Sequence, residues 1–188
     1  MCSSDLPDGY ALTQAVAHAV GVEPGQVVLG NGSNDLLEMV ASAFLAPGRS
    51  AIYAQYAFTV YPLAIQARGA RALVVPAQDF GHDLPAMRAA IQADTRLVFI
   101  ANPNNPTGTR LGPDALADFL DTVPGEVLVV LDEAYNEYLP PAERAESVGW
   151  LARHPNLVIT RTFSKAYGLA GLRVGYALAH PSVADLLN

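Results

Sequence analysis

Cysteine is almost missing from this sequence. Cys2 is the only one in 188 residues, so no internal disulfide can form. Charge is scarce too. Asp, Glu, Lys and Arg together make up 15% of the chain, and the balance is negative, 11 basic against 18 acidic for a net of −7. Such a chain repels phosphate backbones at long range, which counts against nucleic acid as a partner. No membrane-spanning run is present. The longest uncharged stretch, Ser50 to Ala67, carries Gln55, Gln66, Pro62 and aromatic rings at irregular spacing, and is rejected as a span. No basic segment followed by an apolar run opens the chain, so no secretory signal is visible and a reducing cytoplasm is the expected location. The histidines His18, His82, His154 and His180 are far apart, without metal-ligand spacing, and are read as surface or capping residues. No metal is expected.

Apolar residues, by contrast, are abundant. At 51% of the sequence they exceed what a disordered tail carries, and a chain of this length buries roughly 70% of its unfolded surface, enough for one large domain without staples. Both ends look abrupt. Met1-Cys2-Ser3-Ser4-Asp5-Leu6 matches the translation of a common sequencing adapter, and Ala184 to Asn188 stops within the second turn of a helix begun at Pro181. Residues 1–6 are therefore expected to be non-native, and 7–188 to be one domain of a truncated gene.

Short β-rich runs alternate with segments of helical spacing. Strands are expected at Gln26–Leu29, Ala51–Tyr53, Ala72–Val75, Leu97–Ile100, Val127–Leu131, Leu157–Thr160 and Val174–Leu178. Helices are expected at Ala11–Val20, Asn34–Phe44, Thr59–Ala67, Leu84–Ile91, Pro113–Leu120 and Val148–Arg153. Runs such as Val127-Leu128-Val129-Val130-Leu131 are apolar at every position, the mark of a mainly parallel sheet covered on both faces. In such sheets ligands sit beyond the carboxyl ends of the strands. The residues there carry chemistry: Gly30-Asn31-Gly32-Ser33-Asn34-Asp35, Gln55-Tyr56, Asn102 to Gly108, Asp132-Glu133-Ala134-Tyr135, and Thr162-Phe163-Ser164-Lys165.

Of the 11 basic residues ten are Arg, and Lys165 is the only lysine. Imine formation needs a primary amine able to lose its proton, which Arg cannot supply; an ordinary loop lysine explains Lys165 equally from composition alone. Thr162, Ser164 and Arg173 lie close enough in sequence to hold a phosphate together, and Gly30-Asn31-Gly32-Ser33 opens a helix whose free N–H groups bind an anion. Standing alone, Ser33 reads as a plain N-cap. The Gly30-Asn31-Gly32 run lacks the third glycine of a dinucleotide fingerprint and is followed by no Walker lysine. Asp132 ends an apolar strand, where an unpaired carboxylate is costly, so it should have a cationic or N–H partner such as a pyridinium nitrogen. Tyr56 and Tyr135 offer a ring face and a phenol, although tyrosine at a core edge explains either one alone.

In order, these segments resemble the pyridoxal-phosphate aminotransferases of fold type I, and within them the histidinol-phosphate branch. The residues that carry the likeness are Gly30 to Ser33, Tyr56-Ala57-Phe58-Thr59-Val60-Tyr61-Pro62, Asn102 to Gly108, Asp132 to Tyr135, and Thr162 to Lys165 through Gly171-Leu172-Arg173-Val174-Gly175-Tyr176. Any one of them is weak. Five in sequence, each after an expected strand, are specific. The resemblance implies a three-layer α/β large domain, with a C-terminal small domain outside this chain. It also implies roles: Lys165 as the Schiff-base lysine and proton carrier, Asp132 as partner of the pyridine N–H⁺, Asn105 and Tyr135 on the cofactor O3′, Tyr56 stacked on the ring, and Ser33, Asn34, Thr162, Ser164 and Arg173 around the phosphate. Where the family often has Asp-Glu after the serine this chain has Asn34-Asp35, which puts a side-chain contact there in doubt.

The implied reaction is transfer of the amino group of L-histidinol phosphate to 2-oxoglutarate in histidine synthesis, by a homodimer. Substrate carboxylate binding by a small-domain Arg and completion of the site by the partner's tyrosine would lie outside these residues. Aromatic amino-acid transamination and threonine-phosphate decarboxylation stay open within the same chemistry, and a transcription regulator with an aminotransferase-like sensor domain stays open from another class.

Overall fold

Strands and helices alternate along residues 9–188, the part of the chain that this computed structural model describes. The six N-terminal residues read as non-native lie outside it. In chain order the main elements are α1 (Tyr10–Val20), β1 (Val27–Gly30), α2 (Ser33–Phe44), β2 (Ser50–Ala54), α3 (Val60–Ala67), β3 (Arg71–Val75), α4 (Leu84–Ala89), β4 (Thr95–Ala101), α5 (Pro113–Thr122), β5 (Leu128–Asp132), α6 (Ser147–Trp150), β6 (Leu157–Thr162), β7 (Gly175–Ala179) and α7 (Pro181–Leu187). The expected strands all form, with ends within two residues of those read from the sequence. The expected helix at Val148–Arg153 is a single turn, Ser147–Trp150. Gly149 weakens it from within, and Pro155 pushes the residue before it out of helical backbone.

The strands form one sheet in the order β1-β7-β6-β5-β4-β2-β3. Pairings from β3 to β6 are parallel, whereas β7 runs antiparallel to both β6 and β1. Because β7 is reversed against both neighbours, β1 points the same way as β6. The carboxyl ends of β1, β4, β5 and β6 therefore emerge at one edge, which is also where β7 begins.

Alternation along each strand divides the core in two. Leu128 and Val130 of β5, with Leu97 and Phe99 of β4, pack against Leu36, Leu37 and Val40 of α2, Tyr61 and Ile65 of α3, and Val183 of α7. Val129 and Leu131, with Val98 and Ile100, face the other way, onto Val16 of α1, Met87 of α4 and Leu116, Phe119 and Leu120 of α5. Only the edge departs from this pattern. In β3, Val74 is half exposed, as expected where a sheet has a single covered side.

Two histidines are not where the sequence reading puts them. His82 is buried, and its Nε2 accepts the Ala101 N–H at 3.1 Å; burial pushes its pKa down to about 4. His154 is also buried, with Nε2 3.4 Å from Asp121 Oδ1. Their partners are 19 and 33 residues away in sequence, beyond any local pattern. The other two fit: His18 is exposed, and His180 caps α7 by accepting the Ser182 N–H at 3.3 Å. Among the described residues no helix is long and apolar enough to cross a membrane, and no group of three or more His, Cys, Asp or Glu could hold a metal ion.

Candidate active site

The site is built where four strand ends meet the start of α2. Gly32 occupies the N-cap position of that helix with φ of 82° and no side-chain cap; there a side chain would run into the Arg173 guanidinium. Ser33 is thus the first helical residue and not the N-cap. Gly175, opening β7, has no room for a Cβ, which would lie 2.6 Å from Ser33 N and 2.7 Å from Gly32 C. Backbone meets backbone at this point, so the first turn of α2 is pinned to the edge of the sheet. Asn31 N–H donates to Asp35 Oδ2 at 3.0 Å, fixing the turn before the helix.

Arg173, itself in left-handed backbone at φ of 53°, reaches across to this helix start. Its guanidinium donates to Asn31 O at 3.4 Å, to Ala170 O at 3.1 Å and to Ser164 Oγ at 3.3 Å. The loop after β6 and the start of α2 therefore face one another through a cation, a hydroxyl and the amides of the first helical turn. That is an anion cradle. Thr162 takes a supporting place: it is buried at the end of β6, and its Oγ1 accepts the Ser164 N–H at 3.2 Å.

Asp132 ends β5 and is only 5% exposed. Its Oδ1 accepts from the Ala134 N–H and the Thr160 hydroxyl, both at 3.2 Å, and its Oδ2 accepts from the Tyr61 hydroxyl at 2.9 Å. Burial pushes this carboxyl above the usual carboxylate range, against the opposing pull of Tyr61, Ala134, Thr160 and the charge on Lys165. The expected N–H partner is present in Ala134; the two hydroxyls were not anticipated. Thr160 could have been found, since parallel pairing of β5 with β6 sets it opposite Asp132. Tyr61, 71 residues away, gives no such signal.

Next in the chain, Glu133 turns from the site into a buried network. It takes Arg161 Nε and Nη2 at 2.8 Å and the Ser147 hydroxyl at 2.6 Å. This locks the chain leaving β5 onto β6 and holds Asp132 from behind.

Ser33, Asn34, Asn105, Asp132, Tyr135 and Lys165 all line one pocket at this edge of the sheet. Lys165 Nζ lies 5.2 Å from the centre of the Tyr135 ring. Thr162, Ser164 and Arg173 sit beside that pocket, in the cradle and behind it. Tyr56 lies elsewhere: it is 41% exposed, leans on Phe80 at 5.6 Å, and gives its carbonyl to Asn104 Nδ2 at 2.7 Å. Phe58, two residues on, lines the pocket where Tyr56 does not.

A family model described as aminotransferase class I and II matches residues 7–188, and the chain belongs to this family. Among curated relatives, histidinol-phosphate aminotransferase 1 of Thiobacillus denitrificans is 63% identical over 97% of this chain and 48% of its own length, and the enzyme of the same name from Dechloromonas aromatica is 60% identical over 97% and 50%. Among solved structures, histidinol-phosphate aminotransferase from Sinorhizobium meliloti in complex with pyridoxal-5′-phosphate superposes with a TM-score of 0.90 at 33% identity, over 95% of this chain and 49% of that one. The chain spans about half the length of the relatives it matches.

Proposed function

We propose that this chain is the cofactor-holding large domain, residues 7–188, of a cytoplasmic, homodimeric aminotransferase. In that enzyme the amino group of L-histidinol phosphate passes to 2-oxoglutarate with pyridoxal 5′-phosphate as cofactor. The observation that carries the reading is that the chain's only lysine and a buried, three-fold hydrogen-bonded carboxylate line one pocket beside an anion cradle. A phosphorylated pyridine aldehyde needs those three things together: an amine for the aldehyde, an acceptor for the ring N–H⁺, and N–H donors with a cation for the phosphate. The donor set fits.

The chemistry supplied by the bound group is an aldehyde that condenses with amines and a ring that accepts the electron pair left when a substrate carbon loses its proton. The protein's residues do the rest. Lys165 Nζ is the amine that holds the cofactor, and later the base that takes the proton from the substrate carbon and returns it. Asp132 holds a proton on the ring nitrogen, a stabilisation aimed where charge develops. Asn105 and Tyr135 orient the ring through its oxygen, and Phe58 closes the apolar side. Ser33 and Asn34 at the start of α2, with Ser164 and Arg173, bind the phosphate. The substrate carboxylate and the second half of the dimeric site are assigned to residues beyond this chain.

Substrate choice rests on the names of the 60–63% identical relatives. Its test is kcat/KM of the complete enzyme for histidinol phosphate, phenylalanine and threonine phosphate, a ratio that reports differential transition-state binding. Histidinol phosphate should lead by tenfold or more, on the order of what one well-placed polar group contributes. A preference for phenylalanine would replace the substrate and leave the cofactor site as described.

A further inference from the structure

We propose that Tyr61 is a positioning residue for the reaction: its buried hydroxyl fixes Asp132 Oδ2 and keeps that carboxylate ionised and aimed at the ring nitrogen. The inference rests on the cofactor site proposed above.

A carboxylate has about four acceptor positions. Oδ1 of Asp132 already accepts two hydrogen bonds, and Oδ2 accepts one, from Tyr61. The spare acceptor capacity therefore lies on Oδ2, the oxygen that Tyr61 holds. Tyr61 is itself held: it is fully buried in α3, stacked on Phe99 at 4.8 Å and 10°, and edge-on to Phe58 at 5.9 Å and 90°. Ring packing leaves the hydroxyl one direction. Burial and the neighbouring carboxylate push the phenol well above its ordinary value, so it stays protonated and acts as a donor. Without it, Oδ2 would lose its one hydrogen-bond donor in the protein, in buried surroundings where an unpaired charge is costly.

Other groups do not replace this donor. Lys165 is the charged group that acts on Asp132, but its amine is committed to the cofactor and the substrate proton. Glu133, adjacent in the chain, is occupied by Arg161. Thr160 and Ala134 serve the other oxygen. A side chain that merely filled the core between α3 and β4 would need the ring and not the hydroxyl.

The test is Tyr61→Phe, with Phe99→Leu as the packing control and 3-fluorotyrosine at position 61 as an isosteric variant with a stronger donor. In cofactor-free protein, the infrared carbonyl band of Asp132 is identified by subtracting the Asp132→Asn spectrum and followed against pH. Tyr61→Phe should raise the carboxyl midpoint by about one unit, and the fluorinated variant should lower it, as expected for gain or loss of a hydrogen bond to the charged form. Phe99→Leu, which keeps the hydroxyl while loosening the ring stack, should move it by much less than Tyr61→Phe. With pyridoxal phosphate added, Tyr61→Phe should weaken cofactor binding about tenfold and lower kcat with little change in KM for the amino donor. An unmoved midpoint in both Tyr61 variants would overturn the inference. So would a moved midpoint with unchanged cofactor affinity. Failure of the unaltered protein to bind pyridoxal phosphate would overturn the proposed function itself, and this inference with it.

Discussion

In the proposed cofactor site, Asp132 sets function against stability within a single side chain. Its carboxyl is raised by burial from an ordinary value of 3.8, so folding favours the protonated form. That contribution to stability is complete below 3.8 and is lost as the pH climbs through the raised native value. Asp132→Asn keeps a neutral group at every pH. Cofactor-free protein carrying it should match the unaltered protein in acid and exceed it in thermal stability at neutral pH, while the complete enzyme loses about a hundredfold in rate, as for removal of one group aimed at developing charge. A neutral-pH stability below that of the unaltered protein would mean the carboxylate is structural.

His82 works in the opposite sense. Its pKa falls from 6.5 to about 4 on burial, so its stabilising contribution is full above 6.5 and lost as the pH drops toward 4, to the extent of about 3 kcal/mol. His82→Gln can still accept the Ala101 N–H and does not titrate. Urea unfolding of that variant should lose markedly less stability than the unaltered protein between neutral pH and pH 4; parallel losses would contradict this account.

At the scale of elements, the contact between β7 and the start of α2 decides whether the cradle exists. Gly175→Ala places a methyl group against Ser33 N, Gly32 C and Arg161 O, all backbone atoms that cannot swing aside. We expect a loss of about 1–3 kcal/mol, the usual cost of overpacking, together with weaker binding of inorganic phosphate by titration. Unchanged phosphate affinity would show that the helix start is not held there. Elements of this kind were largely legible in the sequence, because strands apolar on both faces, such as Leu128 to Leu131, can only lie within a covered sheet. The residues at their carboxyl ends were legible for the same reason: topology puts strand ends together. What stayed hidden was side-chain traffic across the fold. Tyr61 reaching Asp132, Phe58 in place of Tyr56 in the pocket wall, and His82 turned inward on Ala101 each depend on packing between elements far apart in sequence, which periodicity does not encode.

For the molecule as a whole, one reversed strand brings the ends of β1, β4, β5 and β6 to a single edge, and the chain's only lysine lies in the loop that closes it. That lysine is the amine on which the proposed cofactor site depends. Borohydride reduction of the cofactor-loaded protein fixes the cofactor to whichever amine holds it, and peptide mass mapping then reads the position. The pyridoxyl mass should appear on the peptide containing Lys165 and vanish in Lys165→Arg; a label on any other amine, or none at all in protein that has taken up pyridoxal phosphate, would contradict the account.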